Sequence, residues 1–116
     1  MTEILNSHPW TLWKPLPAPE VCRSIEGPEG PGVYQIRHSA TNEYVQFGIG
    51  KACRKRMKSL FPKPYGVGTR NNEGKRNYIL KNWQQLEYRT LSTRTREEAK
   101  EIENQIKALQ IHLFNT

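Results

Sequence analysis

Glu103 on a capped helix and Asn115 twelve residues later close this chain. Ahead of them come Gly32-Val33-Tyr34, then Gly48-Ile49-Gly50-Lys51, then an arginine-rich stretch. A phenol, a guanidinium and a single carboxylate held around one small sheet are what metal-assisted cleavage of a phosphodiester requires. Hydrolysis loads negative charge onto the phosphate, so such a site needs cations already in position. A carboxylate can hold a hard divalent ion completed by water and substrate oxygens. An arginine fork can pair with the phosphate. Each residue alone has a plainer explanation. Tyr34 fits a core tyrosine, Arg56 one more surface cation, Glu103 a partner for Lys107 at i+4, and Asn115 a polar terminal residue. Only the ordered set points to a site.

The elements that must position these groups follow from composition and periodicity. With 116 residues there is room for one domain and one modest core. The formal net charge is +7 and the pI about 9.7. The charge is segregated: residues 51–96 carry thirteen basic and two acidic side chains, while the segments on either side are each at −2. So concentrated a cationic block suits a polyanionic partner, whose counterions are released on binding, although a solvated basic face is the bland alternative. Cys22 and Cys53 have no paired metal or redox spacing and read as free thiols of a reduced compartment. No apolar run approaches the roughly 18 residues of a membrane span, and no leader pattern is visible. A cytoplasmic, monomeric protein is expected.

Residues 1–30 form a preface broken by Pro9, Pro15, Pro17, Pro19 and Pro28. Trp10 and Trp13 within it suit an apolar lid better than a base-stacking platform. Residues 31–116 form the domain proper. Strands are predicted over 33–37 and 43–49, joined as a hairpin through 38–42. In the second, Val45, Phe47 and Ile49 alternate against Tyr44, Gln46 and Gly48. A helix over 52–61 carries an apolar stripe of Cys53, Met57, Leu60 and Phe61. A loop over 62–74, a short helix over 75–83 and a third strand over 86–91 follow. Thr95 with Glu98 reads as a capping box for the last helix, whose buried stripe is Ala99, Ile102, Ile106 and Leu109. Glu103 falls beside that stripe, with Glu97 and Glu101 pointing away. The expected fold is α+β, a small three-stranded antiparallel sheet flanked by helices.

In this order the motifs resemble the GIY-YIG endonuclease superfamily. Gly32-Val33-Tyr34 matches its first motif, Gly48-Ile49-Gly50 occupies the second, and Glu103 with Asn115 matches the closing motif. The likeness covers residues 31–116. It implies a catalytic set of Tyr34, Lys51, Arg56, Glu103 and Asn115, with Glu103 holding one Mg²⁺ or Mn²⁺ and Tyr34 aligning or deprotonating the attacking water. Arg54 competes with Arg56, because two residues are deleted ahead of that position. The cations expected to bind nucleic acid are Arg54, Lys55, Lys58, Arg70, Lys75 and Arg76. Family members carry a tyrosine where this chain has Gly48; Tyr44, Tyr65, Tyr78 and His112 are the candidate replacements.

The expected activity is metal-dependent hydrolysis of DNA phosphodiester bonds, on single-stranded or structured DNA. The alternatives are a non-catalytic nucleic-acid-binding module on the same fold and, more distantly, an RNA-associated protein with a basic surface.

Overall fold

The computed structural model describes residues 7–61 and 73–114. Its elements run β1 (Lys14–Pro15), β2 (Gly32–His38), β3 (Tyr44–Gly50), α1 (Cys53–Met57), α2 (Glu73–Asn82), β4 (Leu86–Ser92) and α3 (Arg96–Leu109), with 3₁₀ turns over Pro19–Ser24, Lys58–Leu60 and Trp83–Gln85. The class is the expected α+β, but the antiparallel sheet has four strands, in the order β1-β4-β2-β3. The extra strand is only two residues long and comes from the preface: Lys14 and Pro15 pair with Tyr88 and Glu87. Pro15 is tolerated there because an edge strand can spare an N–H.

Two apolar layers cover the two faces of the sheet. On one face Tyr34, Ile36, Leu86 and Tyr88 meet Leu16, Cys22 and Ile25 of the preface, Cys53 and Met57 of α1, Leu60 and Phe61 after it, and Ile79 of α2. On the other, Val33, Phe47, Ile49 and Leu91 meet Ala99, Ile102 and Ile106 of α3. The stripe Cys53, Met57, Leu60 and Phe61 is buried as expected, although only its first turn is α-helical. Glu73 and Gly74, expected in a loop, already belong to α2; residues 62–72 lie outside those described.

The alternation expected for β3 holds from Gln46 onward and fails before it. Ile36 pairs with Gln46 but Arg37 pairs with Tyr44, so the register slips at Val45. A bulge of this kind reverses the side chains beyond it. Val45 therefore joins the Tyr34 layer, and Tyr44 packs with the α3 layer.

The N-terminus of α3 is capped as expected: the Glu98 backbone N–H donates to Thr95 Oγ1 at 3.1 Å. Gln110 ends the helix in the left-handed conformation, φ 52°. Because the cap and the apolar stripe fix how α3 rolls on the sheet, Glu103 sits at the edge of its buried face. Among the described residues no helix is long and apolar enough to cross a membrane.

Candidate active site

Tyr34 occupies the middle of β2, paired with Gly48 on one side and Thr90 on the other. Its ring lies across Gly48. A Cβ built there would meet Cζ at 2.6 Å and Cε1 at 2.7 Å, with the hydroxyl oxygen nearer still. The glycine at the position where the resemblance implies a phenol has a packing reason: the Tyr34 ring fills the space over it. Gly50, further along the same strand, has a comparable role. A Cβ there would come within 2.8 Å of Arg56 Cβ, so the bare backbone lets α1 settle against the end of β3.

β3 is the outer strand of the sheet, and an open cleft of about 550 Å³ lies along it. Tyr34 and Arg56 border the cleft from the first face, and Lys100 and Glu103 of α3 from the second, with Gly48 and Gly50 between. Lys75 of α2 and Arg96 of α3 complete the rim. Among the described residues of the cleft four cations surround one carboxylate, which favours a polyanion there.

Burial pushes the Tyr34 phenol up to about 12, with the Arg56 guanidinium opposing that rise. Only 5% of the residue is exposed, so it is a neutral hydrogen-bond donor near neutral pH. Lys75 is pushed the other way: burial lowers its ammonium, and Arg56 and Arg76 add to the effect while Glu103 opposes it. The Glu103 carboxylate is 13% exposed and pairs with Lys100 Nζ at 2.8 Å and Lys107 Nζ at 3.8 Å. Its surface pairing and its place in the cleft therefore coexist.

The two competing arginines separate. Arg54 turns toward the preface, where Nε donates to the Ile25 carbonyl at 3.1 Å and Nη2 to the Arg23 carbonyl at 3.0 Å. Arg56 borders the cleft, and among the described residues its guanidinium makes a long 3.5 Å contact to Ser59 Oγ.

Lys51 lies apart from Tyr34 and Glu103, in an adjoining hollow of about 430 Å³ shared with Lys55, Arg56 and Arg76. Arg76 is buried, its Nε donating to the Ser59 carbonyl at 2.8 Å. Lys58 borders none of these hollows and its charge is felt at Cys22. Arg70 and Asn115 lie outside the described residues.

None of the described candidates for the absent phenol borders the cleft. Tyr44 packs against Trp13 and His112. Tyr78 Oη bonds His38 Nε2 at 2.6 Å. His112 sits on the α3 side of the sheet, where its Nε2 meets Gln35 Nε2 at 3.1 Å. Tyr65 is outside the described residues. Three residues were not anticipated. Arg96 and Lys100 precede Glu103 by seven and three positions, a helical spacing legible in the sequence. Gln46 shares the strand face of Gly48, and its burial is a tertiary fact.

Among the described residues no three His, Cys, Asp or Glu side chains are grouped to hold a metal ion. One carboxylate bordering an open cleft does fit Mg²⁺ of the kind that keeps several waters and is shared with substrate phosphates. Among the described residues of the cleft, Glu103 is the carboxylate that could hold it, and Lys100 and Lys107 compete for the same oxygen. Comparison with family models, with curated proteins and with solved structures finds no match to this chain.

Proposed function

We propose that this protein is a metal-dependent DNA endonuclease of GIY-YIG type, acting on single-stranded or structured DNA. The observation that carries the reading is the convergence of Tyr34, Arg56, Lys75, Lys100 and Glu103 on one cleft from four separate elements. Arg56 pairs with the scissile phosphate through its planar fork. Lys75, Arg96 and Lys100 offset the charge that builds as the water oxygen bonds to phosphorus and one ester bond breaks. Tyr34, neutral at its raised pKa, aligns the water by donating a hydrogen bond. The proton the water loses as its oxygen bonds to phosphorus passes to solvent through the open cleft, from which the leaving oxygen takes one up. A divalent cation on Glu103 would supply further stabilisation of the leaving oxygen. The second hollow shares Gly50 and Arg56 with the cleft, an arrangement suited to successive phosphates of one strand, and Lys51 and Lys55 serve there. Cys22 and Cys53, both buried and neither in a disulfide, suit a reducing, intracellular compartment.

The alternative, a nucleic-acid-binding module without catalysis, draws on the two lysines that hold Glu103 and on the bare Gly48. Labelled single-stranded, duplex and branched DNA, and an RNA of matched sequence, incubated with and without Mg²⁺ or Mn²⁺, separate the readings. Metal-dependent cutting that Glu103→Ala abolishes is the expected result. Cutting unchanged in that variant refutes the site, and tight binding without any cutting selects the module.

A further inference from the structure

Behind Tyr34 a small cavity of about 30 Å³ opens between the sheet and the turn that follows α1. Its polar lining is Tyr34, Gln46, Arg56, Ser59, Lys75 and Arg76. Gln46 lies on β3 two residues before Gly48, on the same face. It is 3% exposed, and its side-chain oxygen has no hydrogen-bond partner among the described residues. The surrounding groups are donors: guanidinium and ammonium offer no acceptor, and the Tyr34 phenol is neutral. Ser59 already donates its hydroxyl proton to the Arg56 carbonyl at 2.7 Å.

A buried amide oxygen without a partner is rare in folded proteins. A group that gives this lone acceptor a partner is a water, which donates to the amide oxygen and accepts from the Tyr34 hydroxyl. A water needs about 10–15 Å³ of such space, so the cavity is large enough. Tyr34, Arg56 and Lys75 border both this cavity and the cleft, which places such a water at their boundary.

We propose that Gln46 is a positioning residue whose Oε1 accepts a hydrogen bond from a water lodged beside Tyr34, fixing how that water faces the cleft. It does the work of the hydroxyl that Gly48 cannot carry. With one proton held by Gln46 and one lone pair engaged by the Tyr34 hydroxyl, the water has little rotational freedom left. Its second lone pair is then free to face a phosphate. The role in cutting rests on the nuclease reading of the cleft; the water site rests on geometry alone.

Two measurements test this. A high-resolution crystal structure of the wild-type protein is expected to hold an ordered water within hydrogen-bond distance of Gln46 Oε1 and Tyr34 Oη; empty density there overturns the proposal. In single-turnover assays Gln46→Leu is expected to cut about 10- to 100-fold more slowly. Its DNA affinity should stay within about twofold of wild type, and Gln46→Glu, which keeps an acceptor, should recover most of the rate. If the leucine variant does not fold, Gln46→Met, of similar length and without an amide, takes its place. Cutting at the wild-type rate without the amide refutes the role of Gln46 while leaving the nuclease reading intact. A wild-type protein that cuts none of the DNAs refutes the nuclease reading and the catalytic role together, and the density then decides the water site alone.

Discussion

Gly48→Ala should act through Tyr34 and through little else. No glycine among the described residues has a positive φ, so the backbone at 48 accepts an alanine. Removing a glycine's extra freedom in the unfolded chain is worth about 0.4–1 kcal/mol of stability. Against this, the new Cβ would stand 2.6 Å from Tyr34 Cζ, and real contacts of this kind begin beyond 3.0 Å. The ring tip must therefore swing outward by several tenths of an ångström to about 1 Å. Overpacking of that kind costs about 1–3 kcal/mol. The net expectation is a loss of about 0.5–2 kcal/mol in urea unfolding. In a Tyr34→Leu background, whose side chain ends short of the Cζ position, the same substitution should become neutral or stabilising. The coupling between the two sites is then about 1–3 kcal/mol, within the range seen for residues in contact. An equal effect of Gly48→Ala in both backgrounds would refute the claim that the Tyr34 ring fills this space. On the proposed nuclease reading, displacing the ring also displaces its hydroxyl, and DNA cutting by Gly48→Ala should fall by up to about 100-fold.

The two neighbouring arginines should give opposite phenotypes. Arg54→Ala removes two bonds to preface carbonyls and should cost about 1–2 kcal/mol of stability with cutting largely retained. Arg56→Ala should leave the unfolding midpoint nearly unchanged and lower cutting by about 100-fold or more; a reversed pattern refutes the assignment. His112 should make the fold acid-sensitive. Burial, with help from the nearby Arg89 charge, pushes its imidazole down from 6.5 to about 4, so between those pH values the unfolded chain binds more protons than the folded one. Stability is therefore full above pH 6.5 and falls as pH drops toward 4, by about 2–3 kcal/mol from this group at pH 4.5. Urea unfolding at pH 7 and pH 4.5 checks the sign, and a His112→Asn variant should show a correspondingly smaller drop. An equal drop in wild type and variant would assign the acid sensitivity elsewhere.

Period and punctuation settled much of the architecture in advance. The alternation of residues 46–49, the Thr95 cap and the stripe Ala99, Ile102 and Ile106 are local signals, strong enough that β3 and α3 form where the pattern puts them. With the roll of α3 fixed by its buried stripe, Glu103 could be placed at its edge from the sequence alone. The short strand Lys14–Pro15 carried no such signal, since a two-residue pairing beside prolines depends on β4 being there to receive it. The reversal at Val45 was equally hidden, because a bulge answers to the register of the partner strand.

The sequence by itself determined the residue types for the proposed chemistry, their order along the chain and the elements that carry them. Tertiary structure decided which of them meet. Arg54 and Arg56 differ by two positions on one short helix, and only the packing of the preface turns one away while the other borders the cleft. Lys51 follows the second motif directly but falls into the neighbouring hollow. Gly48 lacks a side chain in the sequence, and only the fold lays the ring of Tyr34 across it. In each case the deciding term is a contact between segments far apart in the chain, and local periodicity holds no record of such contacts.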